Sequence, residues 1–166
     1  MIRRIFAALP VLFVLAMPAH ADFRSGVDAF KRGDYAVEKA EFEVLANQGM
    51  AAAQTNLGLM YSKGYGVPIN EAEAVRWYLL AAEKDHPVAQ NNLGYMHING
   101  QGLPKDRVLG LMWLTFSSEN GYARAAKAIL VLEKSMTKSE TELARGFVLI
   151  WKKKRALRQN QVSQLR

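Results

Sequence analysis

The sequence predicts an all-α protein, a right-handed α-solenoid of stacked antiparallel helix pairs that ends in a C-terminal capping helix. Residues 53–88 are repeated without a gap as residues 89–124, with identical residues at 11 of the 36 positions. In both copies apolar residues recur at three- and four-residue spacing, and no sustained period-two alternation indicates a strand. Glycines and a proline divide each copy in two. A fixed period of this length is typical of stacked helical hairpins.

The first copy, residues 53–88, reads as two helices joined by a turn. Leu57 and Tyr61 are four residues apart and therefore share one face of the first helix. In residues 64–68 two glycines permit positive φ and a proline prevents the helix from continuing. Asn70 has the position of an N-cap, so the second helix is expected to begin directly after it.

The second copy, residues 89–124, follows the same plan. Its turn occupies residues 100–104, and Asp106 is the expected N-cap of its second helix. Trp77 and Trp113 occupy equivalent positions in the two second helices. We expect both rings to be buried, packed on the next unit, because a large aromatic side chain at helical spacing is most often part of a core.

Less regular units flank the two copies. Residues 22–52 form a degenerate pair of helices, as expected for a terminal repeat. Residues 125–151 begin with another first-type helix and then carry a capping box at Thr137, which predicts a final, capping helix. The expected apolar stripe of this helix is Leu143, Phe147, Val148, Ile150 and Trp151. Beyond it we expect the helix to fray into a basic tail, residues 152–166.

The first 21 residues have the order of a secretory signal peptide. Two arginines precede an uncharged apolar run over residues 5–17, and residues 19–21 form a small-x-small cleavage pattern. The run is shorter than the ~20 residues that a membrane-spanning helix needs. We therefore expect cleavage between Ala21 and Asp22 and export to the bacterial periplasm or the cell exterior. Retention of the segment as a membrane anchor is the alternative.

Positive charge is concentrated in the tail. Of the 22 lysines and arginines, two lie in the first 21 residues and six in the last 15, so residues 22–151 carry 14 basic and 15 acidic side chains. The repeats are therefore close to neutral, and we expect no nucleic-acid partner. A weak contact with a membrane or another polyanion is expected only of the tail, through Lys152, Lys153, Lys154 and Arg155. Such cations also complement the end of a helix.

Small, aromatic and turn residues recur in a fixed pattern. In the first copy they are Ala53, Leu57, Gly58, Tyr61, Gly64, Gly66, Val67, Pro68, Ala74, Trp77, Ala81 and Ala82. The second copy departs from the pattern at His97, Leu103, Gly110, Ser117 and Ser118. This pattern resembles the Sel1-like repeat (SLR), a longer relative of the tetratricopeptide repeat. The resemblance implies a tetratricopeptide-like superhelix and an adaptor that assembles other proteins, in bacteria often at the cell envelope.

The resemblance also implies that the first helices of the pairs line a concave surface. Residues on these helices that lie off the Leu-Gly-Tyr stripe would then face a groove. They are Thr55, Leu59, Ser62, Lys63, Asn91, Tyr95, Ile98, Asn99, Arg124, Lys127 and Val131. Amide, aliphatic and aromatic groups are mixed along this surface, with cations at one end. The surface is suited to an extended peptide that contains an acidic stretch.

The sequence predicts no catalytic, metal or cofactor site. The chain has no cysteine, and neither His86 nor His97 has a partner at metal-ligand spacing. Ser135 and Lys138 form a Ser-x-x-Lys string, but it coincides with a predicted helix start and lacks its companion motifs. We therefore predict a non-catalytic adaptor for a protein or peptide. The alternative is a cell-envelope hydrolase or cell-wall binding protein of peptidoglycan or β-lactams, although the exported family members of that type are cysteine-rich.

Overall fold

The computed structural model describes residues 22–164, with side chains to residue 161, so the predicted signal peptide lies outside the described residues. This part of the chain consists of eight α-helices without a strand. They are α1 (Phe23–Arg32), α2 (Tyr35–Asn47), α3 (Ala51–Lys63), α4 (Glu71–Ala82), α5 (Pro87–Asn99), α6 (Arg107–Glu119), α7 (Ala123–Glu133) and α8 (Lys138–Gln164). None of these helices is long and apolar enough to span a bilayer. The predicted all-α helical-repeat solenoid is confirmed.

Consecutive helices pack as hairpins, and the hairpins stack on one another. The pairs α1–α2, α3–α4 and α5–α6 form the hairpins, and the contacts α2–α3 and α4–α5 join neighbouring ones. The 36-residue period is visible in the core, since Ala53, Ala89 and Ala125 are all completely buried. Because alanine is small, each first helix can lie close to the hairpin before it.

Inside each hairpin, a glycine of the first helix lets the second helix approach. A Cβ atom added to this glycine would lie 2.6–2.9 Å from a large side chain of the second helix, which is too close for a normal contact. The pairs are Gly26 with Phe42, Gly58 with Tyr78, and Gly94 with Leu114. The degenerate first hairpin therefore keeps the helix crossing of the two repeats.

The Gly-x-Gly turns need glycine for two separate reasons. Gly64, Gly66, Gly100 and Gly102 all have φ between 65° and 75°, a left-handed conformation that other residues adopt at a cost. The second glycine of each turn also touches the preceding hairpin. A Cβ atom at Gly102 would lie 2.6 Å from the backbone of Glu71. The turns thus help to hold successive hairpins together.

The predicted capping residues begin three of the helices. Asn70 and Asp106 each accept a hydrogen bond from the backbone amide three residues on, at 3.0 and 2.9 Å. The Glu140 amide donates to Thr137 Oγ1 at 3.2 Å, and the Thr137 amide donates to Glu140 Oε2 at 2.7 Å. The capping box that opens α8 is therefore complete.

Both repeat tryptophans are buried, as predicted, with 6% of Trp77 and 3% of Trp113 exposed. Trp77 packs with Phe42 of the preceding unit and Leu57 of its own unit, so its predicted packing on the next unit is wrong. Ala81 and Ala82 of α4 instead share a buried cluster with Ala89 of the following hairpin. The Trp113 ring lies 5.2 Å from the ring of Trp151 on α8.

The closing helix α8 differs from the prediction in its buried face. Ala144 and Val148 are its most buried residues. Of the predicted stripe, Val148, Phe147 and Trp151 do pack on the core. Leu143 and Ile150, which the sequence placed in the apolar stripe, are 51% and 52% exposed. The buried face is therefore offset from the predicted one, because α8 packs mainly against α6 rather than as the partner of α7.

The length of α8 also differs from the prediction. The helix does not fray at the start of the basic tail but continues to Gln164. Lysine, arginine, alanine, leucine and glutamine dominate this segment, and all favour helix. Two ion pairs connect it to the repeats: Lys152 Nζ lies 2.8 Å from Glu119 Oε1, and Arg155 pairs with Asp85.

Candidate binding groove

Three cavities lie in a row along the first helices of the hairpins. The first cavity, about 100 Å³ between α1 and α3, is lined by Val27, Phe30, Glu38, Phe42, Asn56 and Leu59. The middle cavity, about 290 Å³ between α3 and α5, is lined by Leu59, Ser62, Lys63, Glu71, Tyr78, Asn92, Tyr95, Met96, Asn99 and Gln101. The last cavity, about 530 Å³ between α5 and α7, is lined by Tyr95, Ile98, Leu114, Arg124, Lys127, Ala128, Val131, Leu132 and Ser135.

The cavities share residues and so form one groove. Leu59 lines both the first and the middle cavity. Tyr95 lines both the middle and the last cavity, and 43% of its surface is exposed. The groove therefore runs across α1, α3, α5 and α7, which are the first helices of the successive units.

Most residues predicted to face the groove do line it. Nine of the eleven are found in the middle or the last cavity. They are Leu59, Ser62, Lys63, Tyr95, Ile98, Asn99, Arg124, Lys127 and Val131. The helix phase read from the repeats is sufficient to place them, because residues at equivalent positions of stacked helices lie side by side.

Thr55 and Asn91 do not line the groove. Only 5% of Thr55 and 7% of Asn91 are exposed. The Thr55 hydroxyl bonds to the Ala51 carbonyl and to His86 Nδ1, both at 2.8 Å. His86 begins the next hairpin and covers this end of α3. Asn91 is the equivalent residue of α5. The prediction is wrong at both positions for one reason: each residue lies on a first helix, as expected, but on its N-terminal half, which is covered.

The first cavity was missed by sequence reasoning. Its residues on α1 are Val27 and Phe30, and Glu38 of α2 also lines it. The missing signal is Gly26, which marks the same helix crossing as Gly58. Counted from these glycines, Val27 corresponds to Leu59, although the spacing of 32 residues differs from the 36-residue period and hides the match.

The charge of the groove changes along its length. In the last cavity Arg124 and Lys127 are exposed around an apolar floor. Near the middle cavity, Gln101 Nε2 lies 3.4 Å from Glu71 Oε1. In the first cavity, burial raises the pKa of Glu38 from an ordinary 4.5 to about 7. One end of the groove is thus cationic and the other end carries a buried carboxyl group.

The two histidines of the described residues, His86 and His97, are packed rather than arranged as ligands. Burial lowers the pKa of both His86 and His97, so both are neutral at pH 7. Within residues 22–161, no three histidine, aspartate or glutamate side chains are grouped so that they could hold a metal ion.

The Ser-x-x-Lys string lies at a helix boundary. The Ser135 hydroxyl donates to the Leu132 carbonyl at 2.8 Å and accepts from Arg107 at 2.7 Å. Lys138 is directed to Glu142, with its side chain 91% exposed. The hydroxyl is thus held by structural hydrogen bonds, and Lys138 is not among its partners in the described part of the chain.

Comparison with known proteins places the repeats in a family. The Sel1 repeat model matches residues 51–86 and 87–122, which keep the 36-residue period but begin two residues before the predicted copies. The fold and groove define a helical-repeat protein of the solenoid type. The chain carries two Sel1 repeats, as Sel1-like repeat proteins do, and repeats of this family typically mediate protein–protein interactions and are generally non-catalytic.

Two solved structures illustrate the likeness. One is a protective antigen present in uropathogenic Escherichia coli strains that displays an SLR fold, with 26% identity, a TM-score of 0.74 and coverage of 85% of this chain and 31% of the antigen. The other is a Sel1 repeat protein from Oxalobacter formigenes, with 31% identity, a TM-score of 0.63 and coverage of 65% of this chain and 44% of that protein. The chain spans less than half the length of either structure.

Proposed function

We propose that this protein is an exported, non-catalytic adaptor that binds an extended segment of a partner protein in the groove along α1, α3, α5 and α7. The observation that carries the proposal is the continuous row of three cavities joined by Leu59 and Tyr95. Extended segments commonly bind in long grooves, where successive side chains enter successive pockets.

The lining supports a segment of mixed character. In the middle cavity Asn92, Asn99 and Gln101 offer amide donors and acceptors to a peptide backbone. Tyr95 stands between two cavities, partly exposed, and is suited to act as an aromatic anchor. The last cavity combines an apolar floor with Arg124 and exposed Lys127, which favours an apolar residue next to an acidic one.

A peptide-display selection on residues 22–166 tests this proposal. Peptides selected on the natural protein should bind the double variant Tyr95→Ala, Asn99→Ala at least about tenfold more weakly, because anchor residues of this kind contribute more than ~1 kcal/mol. The matched control is Leu149→Ala on α8, since Leu149 is 68% exposed and lines none of the three cavities. Equal binding to the double variant and the natural protein would refute the groove as the binding site.

The start of the described chain supports the proposed export. The Asp22 side chain caps α1 by accepting from the Arg24 amide at 3.1 Å, and the Asp22 backbone nitrogen lies 3.1 Å from Glu41 Oε2. Cleavage after Ala21 would turn this nitrogen into an ammonium group and the hydrogen bond into an ion pair. Mass spectrometry of the protein from a periplasmic fraction should give an N-terminus at Asp22. A mass that retains residues 1–21 would contradict the cleavage.

A further inference from the structure

The first cavity holds a carboxyl group that the fold leaves without a partner. Glu38 is 2% exposed, and its Oε2 atom, which is fully buried, accepts no hydrogen bond from any described residue. A buried polar atom in this state normally costs more than 1 kcal/mol. Among the described residues that line the cavity, Glu38 is also the one that titrates.

Packing does not explain a glutamate at this position. Residues 36 and 72 positions further on, at equivalent places in α4 and α6, are Ala74 and Gly110. Both of these are buried, where the helices of a hairpin cross. The other two hairpins therefore fill this position with a small residue, and only the first hairpin of the three places an acid there.

The walls of the cavity suit an alkyl chain that ends in a positive charge. Val27 and Leu59 are aliphatic, and Phe30 and Phe42 add two aromatic rings. Aromatic rings attract cations as well as apolar groups. The remaining lining residue, Asn56, adds one polar amide. Aliphatic and aromatic walls with one carboxyl group therefore match the four methylene groups and the ammonium group of a lysine side chain.

We propose that the first cavity binds the ammonium group of a lysine side chain of the partner, with Glu38 as its counter-ion. The inference rests on the proposed function, because Leu59 connects this cavity to the rest of the groove. A lysine fits better than an arginine, since a compact ammonium group needs one acceptor atom, whereas a guanidinium group needs a pair of acceptors in a plane. The cavity of about 100 Å³ holds a volume equal to roughly three water molecules.

The proposal also gives the bound segment a direction. Glu38 lies at the α1–α3 end, and Arg124 and Lys127 lie at the α5–α7 end. A segment with a lysine at one end and an acidic residue at the other is complementary in this orientation. The reverse orientation would bring like charges together at both ends, which is unfavourable.

Butylammonium is a direct probe, because it reproduces the end of a lysine side chain. In an amide chemical-shift titration of residues 22–166 at pH 8, where the Glu38 carboxyl group is ionised, butylammonium should shift the cavity residues in a saturable manner. The binding should weaken about tenfold or more in Glu38→Gln, as expected for loss of a charge-assisted hydrogen bond. Neutral 1-butanol should bind the two proteins equally.

Two further variants act as controls. Glu142→Gln removes an exposed carboxylate from α8 that lines none of the three cavities and should leave butylammonium binding unchanged. Glu38→Ala introduces the residue found at position 74 and should also abolish the preference for butylammonium over butanol. The thermal unfolding of each variant shows that it is folded. Equal butylammonium binding by the natural protein and Glu38→Gln, or no preference over butanol, would overturn the proposal.

The two proposals fail in different ways. If the peptide selection depends on Tyr95 but butylammonium does not depend on Glu38, the groove is a binding site and the lysine assignment is wrong. If butylammonium depends on Glu38 but selected peptides ignore Tyr95, the lysine site exists and the groove proposal is wrong.

Discussion

At the scale of single residues, Glu38 is a destabilising choice at its position, because its Oε2 atom is buried without a hydrogen-bond partner among the described residues. Burial raises the pKa of its carboxyl group to about 7, which means that the folded protein holds this proton more tightly than the unfolded chain does. Between pH 4.5 and 7 the folded state therefore binds more protons, and stability falls as the pH rises through this window. Well above pH 7 the carboxyl group is ionised in both states, and the free energy of unfolding falls no further on its account.

Replacement of Glu38 by glutamine should remove this loss. Near pH 4, below both pKa values, the two proteins should be about equally stable, because the glutamate is mostly protonated in both the folded and the unfolded state. At pH 8 the Glu38→Gln variant should be more stable by about 3 kcal/mol, the free energy of a shift of roughly 2.5 pKa units. Urea denaturation at several pH values measures the difference, and the contribution of His86 and His97 cancels. A difference that does not change with pH would show that Glu38 is not buried as described.

Glycines on the helices are needed where two helices cross and not elsewhere. Gly58→Ala should destabilise the protein by about 1–3 kcal/mol, because the new Cβ atom would lie 2.6 Å from the buried ring of Tyr78. Gly146 on α8 has no atom within 4 Å of an added Cβ. Gly146→Ala should therefore stabilise the protein by up to about 1 kcal/mol through helix propensity.

Thermal denaturation of the two variants checks this contrast, since both make the same chemical change. Similar effects of the two substitutions would mean that helix propensity alone determines the change in stability. The close crossing of α3 and α4 would then be contradicted.

Sequence reasoning located most of the groove at this scale and failed for identifiable reasons. Helix phase was sufficient for Leu59, Tyr95 and Ile98, because a periodic pattern fixes the direction of a side chain. It failed for Thr55, since burial there depends on a contact with His86, 31 residues away along the chain. It also missed Glu38, because an acidic residue on a helix is normally exposed and only the structure shows that this one is not.

At the scale of the helical elements, buried glutamines join one hairpin to the next. Gln90 Nε2 donates to the Ala82 carbonyl at 3.1 Å, and Asn120 Nδ2 donates to Gln90 Oε1 at 2.8 Å. The equivalent residue Gln54 donates to the Ala46 carbonyl at 3.0 Å. Each glutamine thus adds a second hydrogen bond to a carbonyl at the end of a second helix, which also accepts from the backbone amide three residues further on. This explains why both repeats contain glutamine at this position.

Loss of one such glutamine should be costly. Gln90→Ala should reduce the free energy of unfolding by about 2–3 kcal/mol, because it removes a buried hydrogen bond to the Ala82 carbonyl, takes the acceptor from the Asn120 amide and opens a small cavity. Gln101→Ala is the matched control, since Gln101 is exposed and should cost less than about 0.5 kcal/mol. Chemical denaturation measures both. A small effect at position 90 would mean that the hairpins are held by apolar packing alone.

The helices could be predicted from the sequence where their capping residues and turn residues agree with the fold. The capping residues Asn70, Asp106 and Thr137 begin their helices as the sequence predicts. The closing helix was less predictable, because its buried face depends on packing against α6 and its length depends on ion pairs with distant residues. Asp85, the partner of Arg155, has a positive φ of 62°. In the neighbouring units glycines occupy the equivalent positions, 49 and 121.

At the scale of the whole molecule, the repeat period determines both the core and the groove. Each hairpin buries one set of side chains against its neighbours and leaves its first helix beside the first helix of the next hairpin. The cavities between these helices grow from about 100 to 290 and 530 Å³ toward α7. Their lining also changes from acidic through polar to cationic. A regular fold thus carries an irregular, directional surface, which a partner-specific adaptor needs.

The location of a bound peptide tests the central claim most directly. A peptide selected on residues 22–166 should be titrated into the isotopically labelled protein while the backbone amide shifts are followed. We predict that the largest shifts fall on the first helices α3, α5 and α7, with Leu59, Tyr95 and Ile98 among the affected residues. Largest shifts on α4, α6 and α8, with these three residues unaffected, would contradict the account.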